Sequence, residues 1–362
     1  MKKTPFFEIH SRLGAKMSLF GGHMMPIQYK GVREEHLAVR QNIGVFDVSH
    51  MGEFWVEGPS ALHLLQHICS NDISKLIPGK AQYNYLPNEE GGVVDDLIVY
   101  QLDIEKYLLV VNASNIEKDW NHILKHNKKF NAGLEDVSKE TALLAIQGPK
   151  AIMAMQSICD ARIDLLSNYS HTTSTFAGVK NVMVATTGYT GAGGIEIYFD
   201  VAMAKKVWNG VMKAGADFGI LPIGLAARDT LRLEMGYCLY GNEIDDNTSP
   251  ISAGLRWVTQ PLTGFLNASM IQKSIQEGTT EKLIGFKIDE RGIPRSGCIL
   301  FDSEQNPIGR VTSGTHSPSL NKGIGLGYVK TAFSKPGHKL YVQIRDKLVP
   351  ATVVKLPFVK LS

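Results

Sequence analysis

The 362-residue chain carries only four cysteines, Cys69, Cys159, Cys238 and Cys298, spaced 60 to 90 residues apart with no CxxC pair. That spacing argues against a zinc ribbon and a disulfide framework, and it fits a reducing cytoplasmic setting. No apolar run free of charge, glycine and proline reaches the ~18 residues of a membrane span. The start, Met1-Lys2-Lys3-Thr4-Pro5-Phe6-Phe7-Glu8-Ile9-His10, lacks the apolar core of an export signal. Neither sign of charge dominates: Lys+Arg 38 against Asp+Glu 35 leaves +3, scattered along the chain, so no nucleic-acid partner and no membrane partner are expected.

Several reactive signatures are missing too. Thr187 to Gly194 is dense in glycine, but no Gly-Lys-Ser/Thr follows and Glu196 stands where G-x-G-x-x-G needs its last glycine. Gly323-Ile324-Gly325-Leu326-Gly327 fails the same test at Tyr328. Glycines used this way let a backbone bulge or approach closely. His63/His67 and His122/His126 fall at i,i+4 without the Glu of H-E-x-x-H, so helix-surface or half-buried histidines and no metal are expected. No G-x-S-x-G elbow exists, and neither Ser49-His50 nor Cys238 has an assignable base.

What the chain does contain is a repeat. Residues 57–70, EGPSALHLLQHICS, and 147–160, QGPKAIMAMQSICD, share six identities at an offset of 90: Gly58/Gly148, Pro59/Pro149, Ala61/Ala151, Gln66/Gln156, Ile68/Ile158 and Cys69/Cys159. At offset 88, Lys118, Trp120 and Asn121 fall on Lys206, Trp208 and Asn209. Each unit of roughly ninety residues reads as strand, Gly-Pro turn, amphipathic helix, β-rich sequence and second helix. Helices are expected at 60–70 and 115–126 in the first unit, 150–159 and 202–213 in the second, each covering one face of an antiparallel sheet. A helix over Leu225–Met235 and another near Ala268–Gln276 follow, then short strands at Leu283–Ile288, Cys298–Phe301, Leu340–Ile344 and Ala351–Lys355. The fold class is α+β on two related units, with a closed β domain at the C-terminal end.

Two acids interrupt apolar strands. Asp95 and Asp96 follow a Gly-Gly turn inside Val93 to Tyr100; strand alternation puts them on opposite faces, so at most one is catalytic. Spacing alone favours a solvated or backbone-tied carboxylate over a catalytic one. After the glycine loop, Glu196 and Tyr198 share one side of a strand, opposite Ile195, Ile197 and Phe199. Such a carboxylate suits two parallel N–H donors, and a hairpin with an exposed face also fits. On the helix 225–235, Arg228 and Arg232 share a face and Asp229 can pair with Arg232; a charge-laced outer face is the default, a carboxylate-holding Arg228 the other reading.

Six strings taken in order carry a family likeness: Leu13-Gly14-Ala15-Lys16-Met17, Met25-Pro26-Ile27-Gln28-Tyr29, Gly44-Val45-Phe46-Asp47-Val48-Ser49-His50-Met51-Gly52, Gly91 to Val99, Thr187 to Gly191, and Gly224 to Glu234. From about residue 8 to residue 359 the chain resembles the aminomethyltransferases, the T-proteins of the glycine cleavage system. The resemblance implies a three-domain, cloverleaf-like fold around a tetrahydrofolate channel: 1–50 with 140–280 binding folate, 51–139 carrying the catalytic acid, and 281–362 a β-barrel. It implies transfer of a one-carbon unit from the aminomethylated lipoyl H-protein to tetrahydrofolate, releasing ammonia.

By matching motif, Asp96 falls on the family's catalytic carboxylate, Glu196 on its pterin-binding carboxylate and Arg228 on its ligand-binding arginine. Met51, Tyr83, Tyr100, Asn112, Tyr189 and Tyr237 fall on further pocket positions. A fixed Asp96 would stabilise positive charge and accept a proton as the carbon moves. Two other members of the superfamily are weighed against this reading. A flavin-coupled sarcosine or dimethylglycine oxidase would need a dinucleotide fingerprint, which is missing. A folate-binding protein of iron–sulfur maintenance would carry K-G-C-Y-x-G-Q-E, where this chain has Gly236-Tyr237-Cys238-Leu239-Tyr240.

Overall fold

Strand and helix periods alternate twice between residues 52 and 222, and each alternation folds into a sheet of the same design. The structure is a computed structural model and describes residues 1–360. Ahead of the repeats, β1 (Lys2–Lys3), β2 (Lys16–Phe20) and β3 (His23–Gln28) form a small sheet, with helices α1 (Phe7–Arg12) and α2 (Val32–Gln41) and then strand β4 (Gly44–Asp47). The first repeat supplies β5 (Gly52–Glu57), α3 (Ala61–Ile68), β6 (Lys80–Pro87), β7 (Val93–Asp103), β8 (Lys106–Val111), α4 (Ile116–Asn127) and β9 (Gly133–Asp136). The second supplies β10 (Thr141–Gln147), α5 (Ala151–Gln156), β11 (His171–Phe176), β12 (Val179–Ala185), β13 (Gly194–Asp200), α6 (Ala204–Gly215) and β14 (Leu221–Pro222).

The sheet orders make the repeat explicit. The first sheet runs β6-β7-β8-β5-β9 and the second β11-β12-β13-β10-β4-β14, the same order with β4 inserted. In the first, Phe54 lies opposite Leu109 and Leu109 opposite Val99, so these apolar residues share one face, and Phe54 packs on Trp120 of α4 at 5.0 Å. In the second, Leu144, Ile146, Ile195, Ile197 and Phe199 meet Ala154 of α5 and Val207 and Val211 of α6 in one core. The Gly-Pro turns act as expected: Gly58 and Gly148 take positive φ, and the helices begin at Ala61 and Ala151.

The outer strands of the two sheets touch at one place. Lys80 and Ser170 form an antiparallel bridge, flanked by Ala81 N–H donating to the Tyr169 carbonyl at 2.9 Å and His171 N–H to the Gly79 carbonyl at 2.8 Å. The Lys80 ammonium donates to the hydroxyls of Ser167 at 2.7 Å and Ser170 at 2.8 Å.

After the repeats come α7 (Leu225–Met235), α8 (Ala268–Glu277) and six strands: β15 (Glu281–Ile288), β16 (Ile299–Phe301), β17 (Pro307–Ser317), β18 (Lys322–Lys330), β19 (Lys339–Ile344) and β20 (Lys347–Val354). These close as a barrel in the order β15-β18-β17-β16-β19-β20, so no edge is left to pair with another chain. Ile284, Phe286, Ile288, Leu340, Val342, Ala351 and Val353 fill it from alternating positions.

By packing, the chain divides into two units: Met1–Ile68, Asp72–Asn84 and Asp96–Arg228 in one, and Cys69–Asn71, Tyr85–Asp95 and the chain from Asp229 onward in the other. In the second unit the outer-face expectation for α7 fails. Arg232 is 1% exposed and donates to Glu243 at 2.8 Å and to the Ser313 hydroxyl at 2.8 Å, while also meeting Asp229 at 2.8 Å as the spacing predicted. Arg232 reads as solvent-facing charge but is interior, because a guanidinium with five donors can be satisfied by a carboxylate buried with it, here Glu243.

Candidate functional site

Asp96 and Asp95 separate as strand alternation requires. Asp95 is fully buried, whereas Asp96 is partly exposed on the face of β7 that carries Ile98 and Tyr100. Its position is fixed from two neighbours. The Tyr83 hydroxyl of β6 donates to Oδ2 at 2.8 Å, and Asn112, just past β8, donates from Nδ2 to Oδ1 at 2.8 Å and to the Asp96 carbonyl at 3.2 Å. Donors on either side of β7 hold the carboxylate, which stays partly exposed. The Gly-Gly turn is required here, because a Cβ on Gly92 would strike the Asp246 carbonyl.

Tyr100, two residues along the same face, leads into the second repeat. Its hydroxyl is 2.8 Å from Thr187 Oγ1 and 3.0 Å from the Tyr198 hydroxyl, and Thr187 Oγ1 donates to Glu196 Oε2 at 2.5 Å. Glu196 is 9% exposed, which removes the exposed-hairpin reading. Burial pushes its carboxyl above the usual range, while Thr187, Arg228 and Tyr100 pull in the other direction. Burial raises the Tyr100 and Tyr198 phenols well above their ordinary value, so both stay protonated and available as donors.

The glycine loop that carries Tyr189 is pinned rather than loose. Thr190 donates from Oγ1 to Gln147 Oε1 at 2.8 Å, Gln147 donates to the Thr187 carbonyl at 3.2 Å, and Arg40 reaches the Thr190 carbonyl at 2.5 Å. Gly194, at φ 127°, brings β13 so close to β10 that a side chain would strike the Ile146 carbonyl. The Tyr189 ring lies under the Arg228 guanidinium, centroid to Cζ 4.6 Å. Arg228 sits in the first turn of α7, whose approach is held by Glu35: that carboxylate accepts from Gly224 N–H at 2.7 Å and from Tyr29, Lys30 and Gly31 N–H.

Met51 lies half-buried in the turn between β4 and β5, its N–H donating to the Val48 carbonyl at 3.2 Å. A buried network that sequence reading missed fixes this turn. Asp47 accepts from Thr4 Oγ1 at 2.5 Å and Ser49 N–H at 3.0 Å and meets His10 Nε2 at 2.9 Å, and His10 Nδ1 meets the Tyr29 hydroxyl at 2.8 Å. Burial opposes ionisation of Asp47, yet these contacts hold its carboxyl below the ordinary range. The signal was present in the Met25–Tyr29 and Gly44–Gly52 strings, but their residues become partners only through the fold. His50 follows, 4% exposed and driven by burial to about 3, hence neutral.

Eight of the nine residues singled out from the sequence thus lie in one packed unit: Met51, Tyr83, Asp96, Tyr100, Asn112, Tyr189, Glu196 and Arg228. Tyr237 belongs to the other unit, where it is exposed and its carbonyl accepts from Arg232 at 3.0 Å. The arrangement offers a reachable carboxylate with fixed orientation, an enclosed carboxylate ringed by hydroxyls, and an arginine stacked on a tyrosine. Among the described residues no three His, Cys, Asp or Glu side chains are grouped to hold a metal ion.

Residues 6–261 match the family model of the GCVT N-terminal domain, and residues 281–360 that of the glycine cleavage T-protein C-terminal barrel domain. The chain is 56% identical to an aminomethyltransferase of Bacteroides fragilis, covering 99% of this chain and 100% of that protein. It is 48% identical to one of Bdellovibrio bacteriovorus, covering 99% of each. The crystal structure of glycine cleavage system aminomethyltransferase T from Bartonella henselae, 34% identical, superposes with a TM-score of 0.93 over 99% of this chain and 98% of that one. The chain belongs to the aminomethyltransferases, the T-proteins of the glycine cleavage system, and is an enzyme of that type.

Proposed function

We propose that the enzyme takes the one-carbon unit of an aminomethyl group borne on the dihydrolipoyl sulfur of the H-protein and delivers it to tetrahydrofolate, releasing ammonia, 5,10-methylenetetrahydrofolate and reduced lipoyl protein. The observation that carries this reading is the placement of two differently solvated carboxylates in one packed unit, the first on the β7 face that carries Tyr100 and the second bonded to that tyrosine through Thr187. Asp96 is reachable and held by Tyr83 and Asn112; Glu196 is enclosed and tied to the same strand face through Thr187 and Tyr100.

Asp96 is the catalytic residue in this reading: a fixed, partly exposed anion stabilises positive charge that grows at the transferred carbon and accepts a proton from an attacking amine. Glu196 holds the pterin. A pterin edge presents a ring N–H beside an exocyclic amine, and an ionised carboxylate matches that pair of donors. The enclosed, hydroxyl-lined surroundings of Glu196 fit such a group, and Tyr83, Tyr100 and Tyr189 add flat apolar area. Arg228, whose charge lies within reach of Glu196 and whose plane is set by Tyr189, is the ligand-binding arginine, and Met51 and Asn112 line the site. Tetrahydrofolate supplies the two nitrogens that receive the carbon.

The test is direct. Incubation with tetrahydrofolate and aminomethylated H-protein should release ammonia, and release should stop when either is omitted; ammonia formed without the folate would overturn the reading.

A further inference from the structure

One buried acid has no part in the mechanism above. Glu53 lies in β5 with no exposed surface, and neither of its carboxyl oxygens has a hydrogen-bond partner among the described residues. Its backbone is fully engaged: its N–H donates to Ser138 Oγ at 2.9 Å, and its carbonyl accepts from Val137 N–H at 3.0 Å. The strand therefore cannot turn the side chain outward without losing both bonds.

Register shows which way the acid faces. Glu53 stands opposite Val110 of β8, and Val110 stands opposite Ile98 of β7, so Glu53 shares its sheet face with Ile98 and hence with Asp96 and Tyr100. Asp136 of β9 opposes its ionisation and Tyr198 of β13 lies within electrostatic reach, while Asp96 and Tyr100 share its sheet face. Val110 is its direct neighbour on β8. An enclosed carboxylate with acidic and phenolic company and no donor is unfavourable as an anion.

We propose, resting on the folate reading above, that Glu53 is a positioning residue of the folate site: the uncharged carboxyl beneath the Tyr198–Tyr100–Thr187–Glu196 chain, which keeps the site at two anionic carboxylates rather than three. Holding a pterin requires Glu196 as an anion. A second anion close by is then harder to form, so folate binding and ionisation of Glu53 oppose one another, each to the same extent. Desolvation of Glu53 already lifts its carboxyl well above the ordinary range, and raising the pH through that value should weaken folate binding.

Infrared difference spectra of the full chain against Glu53→Gln should show, near neutral pH, the C=O stretch of a carboxylic acid that only the wild type possesses. Anaerobic calorimetry with tetrahydrofolate should show wild-type affinity falling about tenfold more than that of Glu53→Gln across the pH range in which the carboxylic-acid band disappears. Lack of the wild-type band, or parallel pH profiles in the two proteins, overturns the proposal. Loss of binding in both proteins at every pH instead refutes the folate reading, and the inference falls with it. If Glu53→Gln does not fold, the wild type alone decides: the carboxylic-acid band should move when tetrahydrofolate binds, and an unmoved band counts against the role.

Discussion

Tyr100 and Thr187 share a hydrogen bond of 2.8 Å, and through it the first repeat steadies the carboxylate of the second. The two repeats have the same strand order but place their acids differently, Asp96 on β7 and Glu196 on β13, which are not equivalent strands. The repeated framework therefore carries its two acids at non-equivalent places.

Replacing Asp96 by Asn keeps the bonds from Tyr83 or Asn112 at most in part and removes the negative charge. Turnover with aminomethylated H-protein should fall by about 10²–10⁴-fold, the range lost with a general base, while tetrahydrofolate still binds. Steady-state rates and calorimetry on the same preparation separate the two effects; a variant with wild-type turnover would take Asp96 out of the mechanism.

Glu196→Gln exchanges one of two acceptor oxygens for a donor. Tetrahydrofolate affinity should drop by about 1.5–3 kcal/mol, the value of a hydrogen bond to a charged group, with Asp96 unaltered. Tyr100→Phe removes the hydroxyl between Thr187 and Tyr198 and should show a smaller loss of the same sign. Equal affinity in Glu196→Gln and wild type would contradict the pterin assignment.

In the second unit, Arg232→Met leaves Glu243 buried without its guanidinium. Such a break costs about 3–5 kcal/mol, and thermal melting should show it. The double variant Arg232→Met with Glu243→Leu removes both charges together and should recover much of that loss; a double variant as unstable as the sum of the singles would mean the pair is not coupled.

Glu53 also governs stability against pH. Its folded carboxyl holds a proton above the unfolded value, so its contribution is complete below about pH 4.3 and shrinks as pH rises through the folded value. Relative to Glu53→Gln, the wild type should lose roughly 1.4 kcal/mol for each pH unit across that window. Urea unfolding of both proteins at mildly acid and alkaline pH checks the sign, and a wild-type stability that rises relative to Glu53→Gln toward alkaline pH would refute it.

Much of this was legible because local chemistry and tertiary position agree. The helix read over Leu225–Met235 has those limits in the structure, and those read at 115–126 and 202–213 shift by a residue or two. Alternation alone separated Asp95 from Asp96 and Glu196 from Ile195. What was not legible depends on contacts distant in sequence. The environment of Arg232 is set by Glu243 and Ser313, that of Asp47 by Thr4 and His10, and no helical or strand period encodes such partners. Glu53 escaped notice for a similar reason: in Gly52-Glu53-Phe54-Trp55-Val56-Glu57 it has the look of a solvent-facing residue, yet the fold buries it completely.

The bridge between Lys80 and Ser170 joins residues 90 positions apart, the spacing that relates the repeats themselves. Exchanging the two halves of the chain maps Gly79–His171 onto Tyr169–Ala81, so the seam lies on a local two-fold axis. Two copies of a half-length ancestor would close on one another along that edge as an isologous homodimer. Fusion into a single polypeptide preserves the self-complementary seam and frees each half to diverge.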